Sequence, residues 1–261
     1  MTPTSWNLEN KNALVCGASQ GIGEATAKLL AERGARIVAL ARSEDKLAEL
    51  IKNLPGKGHK YFVIDFADTA KLQSEIAPLV AKENIQILIN NAVGPKGGLL
   101  SDTKPEEFDA PMRVHLLASH ILTQACLPAM KTAGYGRIVN IISTSVKTPI
   151  PNLGVSNTVR GAMANWSKTL AGELAAFNIT VNNILPGYIR TGRFNSLVEA
   201  SAQQRKASTE EIENQWQETI PMKRIGEPLE VAEAIAFLSS PAASYITGIN
   251  VPVDGGRTPS L

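Results

Sequence analysis

Cysteine is scarce in this 261-residue chain: there are two, Cys16 and Cys126, each inside an apolar segment and neither at metal-ligand spacing. That argues against a disulfide scaffold and a cysteine-ligated metal, and both residues are expected as buried free thiols. No metal site is expected at all. Aromatic residues make up 5% and charged residues 19% of the chain, and no apolar run reaches the roughly 18 residues that a membrane span requires. An excess of either charge is also missing. Lys plus Arg number 26 against 24 for Asp plus Glu, a net charge of +2, which gives no electrostatic case for a nucleic-acid partner. The opening residues MTPTSWNLENK lack the charged-then-apolar order of a secretory leader, so a soluble, cytoplasmic protein is expected. What the chain does have is 44% hydrophobic residues, enough for one sizeable core.

Short apolar runs alternate with longer segments of helical periodicity. Strands are expected at Asn12–Cys16, Arg36–Ala41, Lys60–Ile64, Ile85–Asn90, Arg137–Ile142, Thr180–Leu185 and Ile249–Pro252. Helices are expected between them at Gly21–Arg33, Ser43–Asn53, Ala67–Lys82, Pro105–Thr132, Ser156–Phe177 and Pro228–Ser239. Near-continuously apolar strands in strict alternation with helices imply a parallel sheet buried on both faces, hence an α/β, doubly wound Rossmann domain of seven strands. No repeat or linker divides the chain, so residues 1–261 are read as one domain. The polar stretch 193–224 breaks the alternation on the side where strands end, which suggests a lid over a ligand site.

The first strand runs into Gly17-Ala18-Ser19-Gln20-Gly21-Ile22-Gly23 and then a helix. Glycines at such a turn let the backbone approach a pyrophosphate, and the helix N-terminus offers unpaired N–H groups to it. With a strand before, a helix after and a second strand about 20 residues on, the turn reads as a dinucleotide site.

The GxxxGxG spacing of this turn resembles that of the short-chain dehydrogenase/reductase family, and further segments carry the likeness. They are Asn90-Asn91-Ala92, GRIVNIIS (Gly136–Ser143), Val181-Asn182-Asn183-Ile184 with Pro186-Gly187 and Thr191, and Val253-Asp254-Gly255-Gly256. The chain is similar, over nearly its whole length, to the 3-oxoacyl carrier-protein reductase-like members. The resemblance implies a nicotinamide cofactor touched by Gly17, Ser19, Gln20, Gly21, Ile22 and Gly23. It implies that Asp65 bonds the adenine amino group, with Phe66 supplying backbone, and that Asn91 and Ala92 pass under the ribose. Pro186, Gly187, Ile189 and Thr191 would hold the carboxamide. The alternative for Asp65 is a plain helix cap for Ala67 onward. Where the family usually has glycine after Asn-Asn-Ala, this chain has Val93. The second strand ends Ala41-Arg42-Ser43, with no carboxylate until Glu44. A guanidinium and a hydroxyl there suit a 2′-phosphate, so NADP is expected over NAD.

The catalytic positions depart from the family pattern. The carbonyl-polarising serine is matched by Ser143. The family's tyrosine position holds Ser156, and the lysine position four residues on holds Arg160. Spacing of i, i+4 still sets both side chains on one helix face. A serine hydroxyl is shorter and far less acidic than a phenol of pKa about 10, and arginine does not release its proton at neutral pH. The family's catalytic asparagine aligns with His115, which is read either as part of a different proton relay or as a satisfied core residue. Tyr188 is expected against substrate, and His59 and His120 as packing residues without partners.

Two functions remain open on the sequence. One is an NADP(H)-dependent oxidoreductase acting on a carbonyl or secondary alcohol, with a small-molecule carbonyl or acyl-thioester substrate and a non-tyrosine proton source. The alternative is a nucleotide-binding sensor or silent partner subunit that has lost the chemistry. The resemblance also implies pairing through the small and apolar faces around Ala162, Met163, Ala164, Leu170, Ala171, Ala175 and Ala176, giving a homotetramer or homodimer.

Overall fold

The structure is a computed structural model describing residues 6–260; the first five residues, part of the segment on which the leader expectation rests, lie outside that range. Seven parallel strands form one sheet in the order β3-β2-β1-β4-β5-β6-β7. They are β1 (Asn12–Cys16), β2 (Arg36–Ala41), β3 (Lys60–Val63), β4 (Ile87–Asn90), β5 (Gly136–Ile141), β6 (Ile179–Pro186) and β7 (Asn250–Val253). All lie within two residues of the expected bounds. The order reverses between β1 and β4, which opens a crevice beyond their carboxyl ends.

Alternation along each strand splits the core in two. Ala13 and Val15 of β1 and Ile37, Ala39 and Ala41 of β2 join one apolar cluster. Leu14, Cys16, Val38 and Leu40 join the other. The first cluster is closed by helices α1 (Gly21–Glu32) and α2 (Glu44–Asn53) through Leu30 and Leu47. The second is closed by α3 and α4, which span 69–81 and 105–133, and by α5 (Gly154–Leu174). After β6 come α6 (Gly192–Arg205) and α7 (Thr209–Glu218), and then α8 (Pro228–Ser239), which returns Val231 and Ile235 to the first cluster.

The helices α3 and α4 differ from the regular helices expected. Each contains a π-turn, Leu72–Ile76 in α3 and Arg113–Leu117 in α4. Pro78 follows the first and Pro111 precedes the second, and neither can donate to the i−4 carbonyl. The second π-turn carries His115.

Both cysteines are free and buried. His59 and His120 are not partnerless: His59 Nδ1 accepts from the Ile37 N–H at 3.0 Å, and His120 Nδ1 accepts from Trp166 Nε1 at 3.4 Å. The α5 face named for pairing is partly internal, since Met163 and Ala171 lie in the core while Ala175 and Ala176 are exposed. Among the described residues no helix is long and apolar enough to cross a membrane.

Candidate active site

A cleft of about 640 Å³ opens at the switch point and gathers most of the sequence-named residues on one wall system. Its floor is the turn from β1 to α1. Gly17 adopts φ +61°, and a Cβ there would stand 2.7 Å from Asn91 Nδ2. Asn91 in turn donates to the Gly17 carbonyl at 3.4 Å, tying the turn to the end of β4. Gly23 does not line the cleft as expected: it packs beneath, where a Cβ would meet the Gly17 oxygen at 2.1 Å. Its absent side chain lets α1 close on the turn. Gln20 occupies the N-cap of α1 and supplies no side-chain bond to the helix, which leaves the first-turn N–H groups to favour an anion.

At one end of the cleft stand Arg42, Ser43, Lys46, Asp65 and Phe66. Arg42 reaches Asp65 at 3.7 Å with both side chains more than half exposed, a pair worth at most about 1 kcal/mol. Ser43 is the N-cap of α2 but its hydroxyl bonds nothing in the helix. Asp65 accepts from the Ala67 N–H at 3.0 Å, a local turn, while the cap of α3 is Asp68. Lys46, in the first turn of α2, lines the same end and donates to Gln20 Oε1 at 3.5 Å; it was not singled out from the sequence.

At the other end β5 delivers Ser143, whose Oγ accepts from the Ser145 N–H at 3.1 Å. Ser156, in the first turn of α5, lines the same cleft. Arg160 is deeply buried and donates through NH1 to the Ile141 carbonyl at 2.9 Å, while its Nε has no hydrogen-bond partner. Burial, with the charge of Arg193 adding to it, lowers the Arg160 pKa to about 10; the group remains a cation at neutral pH.

His115 does not reach the cleft. It borders a separate pocket of about 10 Å³ behind it, shared with Arg160, Asn90 and Ser119, which is room for about one water. Its Nε2 has no partner, and it hydrogen-bonds the Val93 backbone. Burial first, and the Arg160 charge second, hold its pKa well below the usual histidine range, so the imidazole is neutral.

Tyr188 lines the cleft, but its ring stacks on Trp216 at 4.8 Å and 7°, and Arg257 donates to its hydroxyl at 3.3 Å. It packs against α6 and α7. Thr191 caps α6, accepting from the Phe194 N–H at 3.3 Å and donating to the Ile189 carbonyl at 3.2 Å. The hydroxyl is therefore spent locally, whatever the loop as a whole holds.

Arg193, within the expected lid, donates to the Pro95 carbonyl at 2.7 Å and lines the cleft. Nothing in the sequence marked it out among the arginines of that polar stretch.

A family profile described as enoyl-(acyl carrier protein) reductase matches residues 17–258. The 3-oxoacyl-[acyl-carrier-protein] reductase FabG of Vibrio cholerae is 35% identical over 253 residues, 96% of this chain and 98% of that protein. Among solved structures, YwfH, an NADPH-dependent reductase involved in bacilysin biosynthesis, superposes with a TM-score of 0.91 at 32% identity, covering 96% of this chain and 99% of that one. The L-sorbose reductase of Gluconobacter frateurii, complexed with NADPH and L-sorbose, gives 0.92 at 28% identity over 99% and 100%. Taken with the seven-stranded parallel sheet and the glycine turn at its switch point, these matches place the chain in the short-chain dehydrogenase/reductase family of NAD(P)-dependent oxidoreductases.

Proposed function

We propose that the protein is an NADPH-dependent carbonyl reductase in which two serine hydroxyls replace the family's serine–tyrosine pair. The observation that carries this reading is the cleft itself, with an uncapped helix N-terminus and glycine turn at its floor, a basic end at Arg42, Ser43 and Lys46, and both Ser143 and Ser156 on its wall. The glycine turn fits the cofactor because a Cβ at Gly17 or Gly23 would close it. Gly17, Ser19, Gln20, Gly21 and Ile22 would line the diphosphate, with Asn91, Ala92 and Arg160 near the ribose. Asp65 and Phe66 would flank the adenine, and the Pro186–Thr191 loop the carboxamide. NADPH, when bound, supplies the hydride for the carbonyl carbon. Ser143 and Ser156 donate hydrogen bonds to the carbonyl oxygen, and Ser156 passes it a proton drawn from solvent. Arg160, a permanent cation beneath Ser156, stabilises the developing negative charge.

His115 keeps Val93 in place and holds a neutral imidazole next to Arg160; in this reading it is a positioning residue. NADP preference rests on the exposed, weakly paired Arg42, which can exchange Asp65 for a 2′-phosphate. The residues 193–224 act as the lid, and the exposed ends of α4 and α5 join four copies in a cytoplasmic homotetramer, checked by light scattering.

The function is tested by NADPH oxidation against a panel of ketones, oxo acids and 3-oxoacyl thioesters. Turnover is expected, with Ser143→Ala lowering kcat about a hundredfold and Arg42→Gln erasing the preference for NADPH over NADH. Binding of NADPH with no turnover of any panel member overturns the reading in favour of a silent nucleotide-binding protein.

A further inference from the structure

We infer that the substrate end of the cleft is built for a carboxylate, held by the Arg193 fork with the buried Arg160 charge behind it, so that the substrate is an oxo acid rather than a neutral ketone. This rests on the carbonyl-reductase reading above. Two guanidiniums face one small space: a Cβ on Gly94 would stand 3.6 Å from Arg160 NH2 and 3.9 Å from Arg193 NH2. Neither has a carboxylate partner among the described residues; each donates only to a main-chain carbonyl, Ile141 and Pro95 respectively. Two neighbouring arginines differ. Arg190 pairs with Glu213 and Glu227, and Arg224 pairs with Glu230.

The remaining electrostatics point the same way. Asp65 is the one acidic residue among those lining the cleft, and it sits at the far, Arg42 end. Arg193 occupies the first turn of α6, where the positive end of the helix already disfavours a cation. Arg193 is half-buried, and burial lowers its pKa. Three positive contributions without a counter-charge cost stability unless a ligand supplies the anion. A carboxylate presents two coplanar acceptors that match a guanidinium fork. Because Arg160 lies one turn below Ser156 on the same face, the carboxylate stands close to the carbonyl that the serines hold, as in a 2-oxo or 3-oxo acid. The glycine turn already directs a helix N-terminus at the cofactor's phosphates, which leaves Arg193 for substrate.

The test uses the full-length protein with NADPH bound, and reads the binding of benzoylformate and acetoacetate against their methyl esters by titration of NADPH fluorescence and by turnover. Each acid is expected to bind at least tenfold more tightly than its ester. Arg193→Gln should bring acid and ester to parity with NADPH affinity within twofold of the parent, and Arg193→Lys should restore part of the preference. Thermal melts of both variants check that they fold. Equal affinity for acid and ester in the parent overturns the inference and leaves the reductase reading standing. So does failure of both acids to bind while NADPH does, and so does an Arg193→Gln protein that loses NADPH affinity itself, since Arg193 would then be a diphosphate contact. Failure of the parent to bind NADPH removes the reductase reading, and this inference with it.

Discussion

At Gly23 the chain has no room for a single carbon. A methyl group would lie 2.1 Å from the Gly17 oxygen, and that oxygen belongs to backbone held by Asn91. Gly23→Ala is expected to push α1 off the turn, costing about 1–3 kcal/mol of stability and weakening NADPH binding at least tenfold; a thermal melt and a fluorescence titration measure both. His115 makes a different kind of prediction. Its folded pKa lies well below the ordinary histidine value, so the unfolded chain takes up a proton that the folded chain refuses. Stability is then full above about pH 7 and falls as pH drops below about 6.5, by up to about 1.4 kcal/mol per pH unit. Urea unfolding of the parent at pH 7.5 and pH 5 should show this loss, and His115→Asn should reduce it. Identical losses in both proteins would exclude His115 as the source. Ser143, Ser156, Arg160 and Arg42 were legible because their chemistry sits at strand ends or at fixed helical spacing. Arg193 was not, because a guanidinium in a polar helix looks the same whether or not an acid lies nearby. The direction of His115 was equally hidden, since a π-turn rotates it away from the cleft and behind Arg160.

The helices α6 and α7 of the proposed lid carry their own small core with the segment that follows them. Phe194, Val198, Ala202, Ile212, Ile220 and Ile225 pack together, with Tyr188 and Trp216 against them. The Tyr188–Trp216 stack joins this unit to the loop leaving β6, and the Arg190–Gly226 backbone bond at 2.9 Å and the Arg190–Glu213 ion pair at 2.7 Å are further straps. Trp216→Ala should therefore loosen α6 and α7 without unfolding the sheet, at a local cost of about 3 kcal/mol at most. Hydrogen exchange should quicken in 192–218 while β1, β4 and β5 stay protected. Uniform exchange across the whole chain would mean that the lid has no separate stability. The strands and outer helices could be read directly from period and apolar runs. The lid could be read only as polar and helix-prone, because its six core residues are too few and too scattered to set a clear moment against the glutamates and glutamines between them.

Across the whole molecule, an amide chain runs through the sheet from β4 to β7. Asn90 donates to Asn140 at 2.8 Å, Asn140 to Asn183 at 3.0 Å, and Asn183 to Asn250 at 2.8 Å. These four residues stand opposite one another in register across β4, β5, β6 and β7. The sequence shows each asparagine, but only parallel pairing aligns them, so the ladder was invisible before the strand order was known. The switch point was legible in kind, since alternating strands and helices dictate a doubly wound sheet, while its location between β1 and β4 rests on the order of the strands.

The burial of the two sulfurs has a practical outcome. Cys16 and Cys126 lie on opposite sides of one packed layer, 3% and 1% exposed, and burial raises the Cys16 thiol to about 12 and drives Cys126 higher still. No thiolate forms while that layer is intact, so an aromatic disulfide reagent should release its chromophore only as fast as the chain opens globally, at a rate matching the unfolding arm of a denaturant chevron. The chain is thus a silent background into which one engineered sulfur on the lid, at exposed Glu199 for instance, would report as a single clean label.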